Sequence, residues 1–224
     1  MSKIVKVAGA LALAATMAAA PAMAQETIRG KRTGDLVVGV GAIGVLPANN
    51  GGRVDIIGGR PRASNSASPQ VDFSYFFTPN FALNLIVATT KHDLVARGTA
   101  LGDVQLGSVW ALPPTLTLQY HPLPTSRFSP YVGVGLNYTL FYGYSHGGAN
   151  AAVTRAAVNN SVGVALNAGL DVELSGPWGL NVDVKKIFMS PNAAVGTTLG
   201  VKLHARTEIN PLVIGASLRY RFSL

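Results

Sequence analysis

From Ser161 to Leu174 the chain reads SVGVALNAGLDVEL, with Val162, Val164, Leu166, Ala168, Leu170, Val172 and Leu174 at every second position. Between them stand Gly163, Ala165, Asn167, Gly169, Asp171 and Glu173, which are small, polar or charged. Side chains alternate across an extended strand, so this segment has one greasy face and one slight or ionic face. A soluble sheet would lay the greasy face on a second layer. A membrane barrel turns it toward lipid.

Seven further segments alternate in the same way. Their apolar sets are Leu36, Val38, Val40 and Ala42; Val71, Phe73, Tyr75 and Phe77; Phe81, Leu83, Leu85 and Val87; and Leu112, Leu116, Leu118 and Tyr120. Then come Val132, Val134, Leu136, Tyr138, Leu140 and Tyr142; Trp178, Leu180, Val182 and Val184; and Leu212, Ile214, Ala216, Leu218, Tyr220 and Phe222. No segment sustains a helical period. Only 12% of the residues are charged although 48% are hydrophobic, about half the roughly 25% charge of a soluble domain. Hydrophobicity spread over every second residue is the mark of a barrel facing lipid.

The connections sort into two kinds. Thr78-Pro79-Asn80, the stretch from Pro122 to Arg127, and Ser175-Gly176-Pro177 are short and rich in turn residues. The other four are longer, and the first, from Leu46 to Ser66, is rich in Gly, Asn and Ser. Phe77, Phe81, Tyr120, Trp178, Tyr220 and Phe222 fall beside the short turns, and Tyr142 and Phe188 near the long loops. Two aromatic levels match two membrane–water interfaces. The pattern predicts an all-β fold: an eight-stranded antiparallel transmembrane β-barrel with short periplasmic turns and long extracellular loops. A soluble sandwich or lipocalin-like barrel would have to point the bulky residues inward, which leaves the girdles and the small opposite face unexplained.

The N-terminus carries Lys3 and Lys6, then the apolar run VAGALALAATMAAA, then Ala22-Met23-Ala24. This order predicts a secretory signal peptide over 1–24 and a mature barrel domain over 25–224. Cleavage lowers the formal charge from +8 to +6. An exported chain has little access to nucleic acid, so no nucleic-acid partner is expected. The cluster Arg29, Lys31 and Arg32, and the loop residues Arg53, Arg60 and Arg62, read as solvated charge that meets anionic headgroups. With no cysteine and four scattered histidines, neither a disulfide framework nor a metal site is expected, and no cofactor.

The inward residues change character with depth. Near the short turns they include Asp35, Asp72, Asn84, Gln119, Asp171, Glu173, Asp183, Lys185, Arg219 and Arg221. Of these the eight charged residues predict an ion-paired plug in the lumen, with Arg219 and Arg221 beside Asp35. Toward the long loops the inward set is Ile43, Ile86, Ala88, Phe141, Ile187 and Met189, a greasy substrate channel above a polar plug. A small hydrophobic solute entering it would leave sideways. Leu112-Pro113-Pro114 opens the fourth strand, and neither proline can donate a ladder hydrogen bond, which makes this a candidate lateral gate. No nucleophile–base arrangement is present: His92 adjoins Asp93 without a positioned serine, and GVGAIG lies within a strand. The chain is not expected to be an enzyme.

GDLVVGVGAIGVLP, ATTKHDL, LPPTLTLQYHP, FSPYVGVGLNYTLFY, the SVGVALNAGLDVEL–WGLNVDVKKI hairpin and INPLVIGASLRYRF together resemble the OmpW family of outer-membrane proteins, which includes alkane-uptake porins. The resemblance covers the mature chain in order, and Lys91-His92-Asp93, Leu112-Pro113-Pro114 and the closing strand carry the family pattern. It implies an outer-membrane barrel, monomeric and surrounded by outer-membrane lipid. Its blind-ended hydrophobic channel would pass small apolar compounds laterally into the bilayer. It implies a visit to the barrel-assembly machinery, for which Gly215, Leu218, Tyr220 and Phe222 keep the usual closing alternation, followed by Ser223 and Leu224. The alternative is a structural or surface-interaction barrel whose loops act as receptor or adhesin.

Overall fold

A computed structural model of the protein describes residues 28–49, 53–54, 58–100, 102–145, 153–197, 202–206 and 209–223. The expected signal peptide, 1–24, lies outside the described residues. Fifteen strands occur among those described: β1 (Asp35–Leu46), β2 (Arg53–Val54), β3 (Arg60–Ala63), β4 (Ser66–Phe76), β5 (Phe81–Ala88), β6 (Thr90–Thr99), β7 (Gly102–Leu112), β8 (Thr115–Tyr120), β9 (Phe128–Ser145), β10 (Val153–Val158), β11 (Ser161–Glu173), β12 (Trp178–Phe188), β13 (Asn192–Thr197), β14 (Lys202–Arg206) and β15 (Leu212–Ser223).

Eight of them close on themselves. The order β11-β12-β15-β1-β4-β5-β8-β9 is completed by pairing of β9 with β11, and every neighbour is antiparallel. Closure leaves no sheet edge, which a ribbon in hydrocarbon requires because its backbone groups have no water to bond. The registers keep like with like: Leu166 lies opposite Val134, and Val40 opposite Leu218. The bulky set points out, with Leu136 64% and Val162 68% exposed. Removing each such side chain from water is worth about 1.5–3 kcal/mol, and acyl chains provide that removal.

Both ends of the outward band carry aromatics. At the short-turn end Phe77, Phe81 and Tyr120 form a run with centroids 6.1 and 5.1 Å apart, and Trp178, Tyr220 and Phe222 another at 4.9 and 4.7 Å. At the other end Trp110 stacks with Tyr142 at 6.4 Å, and Phe188 is exposed. The protein is therefore a membrane-spanning barrel with two interfacial girdles.

The long connections are more regular than loops. β6 and β7 form a hairpin that pairs with β3 on one side and the upper part of β9 on the other. β10, β13, β14 and β2 make a separate four-stranded sheet. TKHDLVARGT of β6 sets Lys91, Asp93 and Arg97 in one register and Thr90, His92, Leu94, Ala96 and Gly98 in the other, so neither is a bulky apolar set and no lipid-facing alternation announces it.

Candidate functional site

The lower lumen is filled by charge. Arg219 stands between two carboxylates, donating to Asp171 Oδ1 at 2.7 Å and pairing with Asp72 Oδ1 at 2.8 Å. Arg221 pairs with Glu173, and its Nε lies 3.7 Å from Asp35 Oδ2. Lys185 pairs with Asp183, which also accepts from Asn167 Nδ2 at 3.1 Å. Amides link the pairs: Asn181 Nδ2 donates to Asp171 Oδ1 at 2.8 Å and to the Tyr131 hydroxyl at 2.9 Å, and Gln119 Nε2 to Asn167 Oδ1 at 2.9 Å. Asp35, Asp72, Asp171, Glu173, Asp183, Lys185, Arg219 and Arg221 thus all enter paired contacts. Burying either sign alone would cost several kcal/mol.

One pairing differs from the sequence expectation. Arg221, not Arg219, reaches Asp35, because Arg219 is opposite Gly39 and Gly39 is opposite Asp72. With no side chain intervening at Gly39, Arg219 and Asp72 meet across it. Gly169 does the same for Tyr131, whose ring carbon Cζ would lie 2.4 Å from a Cβ there.

Two participants escaped the sequence reading. Lys31 is not solvated loop charge: it is 4% exposed, its Nζ lies 3.3 Å from Asp171 Oδ2, and its backbone N–H donates to Pro124 O at 2.8 Å. Burial pulls the Lys31 ammonium pKa below its ordinary range, while Asp171 and Glu173 oppose that shift. Residues 30–34 cross the floor of the barrel, with Gly34 N–H donating to Phe76 O at 2.8 Å and Arg221 to Gly30 O at 2.6 Å. His121 is fully buried at the end of β8, its ring 5.0 Å from Phe76 and 4.8 Å from Tyr131. Burial lowers its pKa to about 4; Asp171 raises it, and Lys31 and Arg219 add to the lowering. The imidazole is neutral at pH 7, so its 3.8 Å approach to Asp171 is a polar contact and not an ion pair. Both residues lie just outside an alternating segment, where the period gives no sign of direction.

The upper lumen is apolar. Ile43, Ile86, Ala88, Ile187 and Met189 gather with Val45, Ala165 and Val213 into one buried cluster, and Phe141 packs against it. Between cluster and base lies a belt of buried amides and hydroxyls, among them Asn137, which donates to Thr115 Oγ1 at 2.9 Å.

Beside the cluster the wall changes. β5 pairs with β8 up to Ile86–Thr115, and β6 pairs with β7 from Thr90–Ala111 upward. The register is the same on both sides, so residues 81–99 and 102–120 form one long hairpin interrupted at its waist. In the interruption Val87, Ala88 and Thr89 face Leu112, Pro113 and Pro114 with no ladder pair between them. On the other side β9 stays attached: Tyr138 N–H donates to Pro114 O at 3.1 Å, and Asn137 Nδ2 to the Pro113 and Pro114 carbonyls at 3.3 Å. The break is one-sided, and Ala88 of the apolar cluster stands in it. Among the described residues no group of His, Asp and Glu could hold a metal ion.

A closed eight-stranded barrel with a lipid-facing band, an ion-paired base and an apolar mouth defines an outer-membrane β-barrel. The sequence profile of the OmpW family matches residues 32–222, and the chain belongs to that family. It is similar to the uncharacterized outer-membrane protein y4mB of Sinorhizobium fredii, with 41% identity over 183 residues, 82% of this chain and 78% of that one. Outer membrane protein W of Vibrio cholerae is 30% identical over 217 residues, 95% of this chain and 97% of its own. The crystal structure of the outer membrane protein OprG from Pseudomonas aeruginosa superposes with a TM-score of 0.80 at 25% identity, covering 88% of this chain and all of that one. The protein resides in the outer membrane.

Proposed function

We propose that the barrel admits small hydrophobic molecules at the cell surface and releases them sideways into the outer leaflet. The observation that carries this reading is the apolar cluster of Ile43, Ile86, Ala88, Ile187 and Met189 with Phe141, set above a base filled with paired charge. An apolar solute partitions into the cluster, but crossing the base would strand it among buried ions. The wall beside Ala88, where Leu112, Pro113 and Pro114 make no ladder pair with Val87, Ala88 and Thr89, supplies the exit. Lateral delivery also spares the solute an aqueous periplasm. In this reading the chain works as a monomer after removal of residues 1–24 and folding by the barrel-assembly machinery, and it performs no catalysis.

Replacing Phe141 or Ile187 by Asp puts a carboxylate in the vestibule. Uptake of a radiolabelled alkane by cells expressing either variant is expected to fall about tenfold, equivalent to ~1.4 kcal/mol, with normal heat-modifiable migration of the folded barrel. Undiminished uptake in a correctly inserted variant would instead leave the lumen idle and favour a surface-interaction role for the extracellular extensions.

A further inference from the structure

The hairpin above the barrel collects cations on one face. Arg60 and Arg62 of β3 are both exposed and, two residues apart on a strand, share a side. β3 pairs with β6 in a register that sets Arg60 directly opposite Arg97 and Arg62 opposite Val95. Descending β6 from Arg97 in steps of two leads through Val95 and Asp93 to Lys91, which is exposed and lies opposite Trp110. Trp110 stacks with the outward-facing Tyr142 and marks the outer interface. Lys91 is therefore at girdle level, and the Arg60–Arg97 pair stands on the order of 20 Å further along the strand.

Like charges directly opposite on antiparallel strands repel. Among the described residues no carboxylate pairs with Arg60, Arg62, Lys91 or Arg97. Asp93 is the one acidic residue on this face of β3 and β6, and its backbone N–H is held by Ser64 Oγ at 2.9 Å. Asp103, at the hairpin tip, accepts from Gly98 N–H at 3.0 Å. An external anion would relieve the repulsion.

We propose that this face binds the phosphorylated headgroup of lipopolysaccharide. The height of the cations selects this partner: they begin at the membrane interface and climb away from it. A phospholipid headgroup would end near Lys91, and a soluble polyanion has no reason to reach the girdle. A glycolipid anchored in the outer leaflet spans both, with glucosamine phosphates near Lys91 and anionic core sugars against Arg60, Arg62 and Arg97.

The test titrates the purified full-length barrel in nanodiscs with deep-rough lipopolysaccharide and reads bound lipid by native mass spectrometry. The triple variant Arg60→Gln/Arg62→Gln/Arg97→Gln is expected to bind at least about tenfold more weakly, while the triple Arg→Lys variant keeps most of the affinity. Enzymatic removal of the lipid phosphates should erase the difference between wild type and Lys91→Gln, and should leave the difference made by the arginine triple, whose partners are the core sugar carboxylates. If the triple Gln variant does not assemble, Arg62→Gln and Lys91→Gln singly carry the test, each weakening binding. Binding by the Gln variants equal to wild type would overturn the proposal. So would displacement of lipopolysaccharide by equimolar phosphatidylglycerol or soluble polyphosphate, since either would mean a patch without preference for the glycolipid.

Discussion

At Gly39 a missing side chain decides where two others go. A Cβ there would lie 2.1 Å from Asp72 Oδ2, inside the space where Asp72 meets Arg219. Gly39→Val should therefore separate that pair, and Arg219→Leu should leave Asp72 buried without its cation. Removing one partner of a buried pair costs about 3–5 kcal/mol, so urea unfolding of either variant in detergent should show a loss of that order; a loss under ~1 kcal/mol would mean that water carries the charge. His121 gives a pH signature. Its folded pKa of about 4 is below the ~6.5 of an unfolded histidine. Its contribution is thus complete above pH 6.5 and is lost as pH falls toward 4, because the unfolded chain takes up a proton that the folded one refuses. Between pH 7 and 5 the wild type should lose up to roughly 2 kcal/mol more than His121→Phe in the same urea titration. Alternation alone gathered Asp171, Asp183, Arg219 and their neighbours on one wall, since period fixes direction. It could not reach Lys31 or His121, whose burial comes from a floor segment and a turn folding across the barrel base.

Among the elements, the hairpin of residues 81–120 holds the most consequential departure from regularity. Pro113-Pro114 was legible as a weak point, because two missing donors need only the sequence. That the strand continues above them as β7 was not: KHDL and its surroundings mix charge with apolar residues, and no lipid faces them to enforce a period. Restoring the donor at 113 should heal the wall, since Pro114 turns its polar groups toward Tyr138 of β9 and position 113 faces Ala88. In Pro113→Val, hydrogen exchange should show a protected amide at 113, and stability should rise by about 1 kcal/mol for the hydrogen bond gained. Alkane uptake by the same variant should fall. An unprotected amide would place the cause of the interruption in the Thr89 segment.

For the whole molecule, one alternation separates two environments. The outward set meets acyl chains between the girdles of Phe81–Tyr120 and Trp110–Tyr142, and the inward set meets its own counter-charges below and its own apolar cluster above. The eight spanning strands and their order could be read from the chain because lipid imposes the period on each of them. The sheets above the membrane could not, because water imposes none. The proposed transport depends on a route that enters from the top and leaves through the side. Val87→Cys/Pro114→Cys joins the two residues that the shared register sets face to face across the break. With the disulfide formed, uptake of a labelled alkane should stop, and it should return on reduction, with both single-cysteine variants behaving as wild type. Unchanged uptake in the fully oxidised double variant would contradict the lateral route.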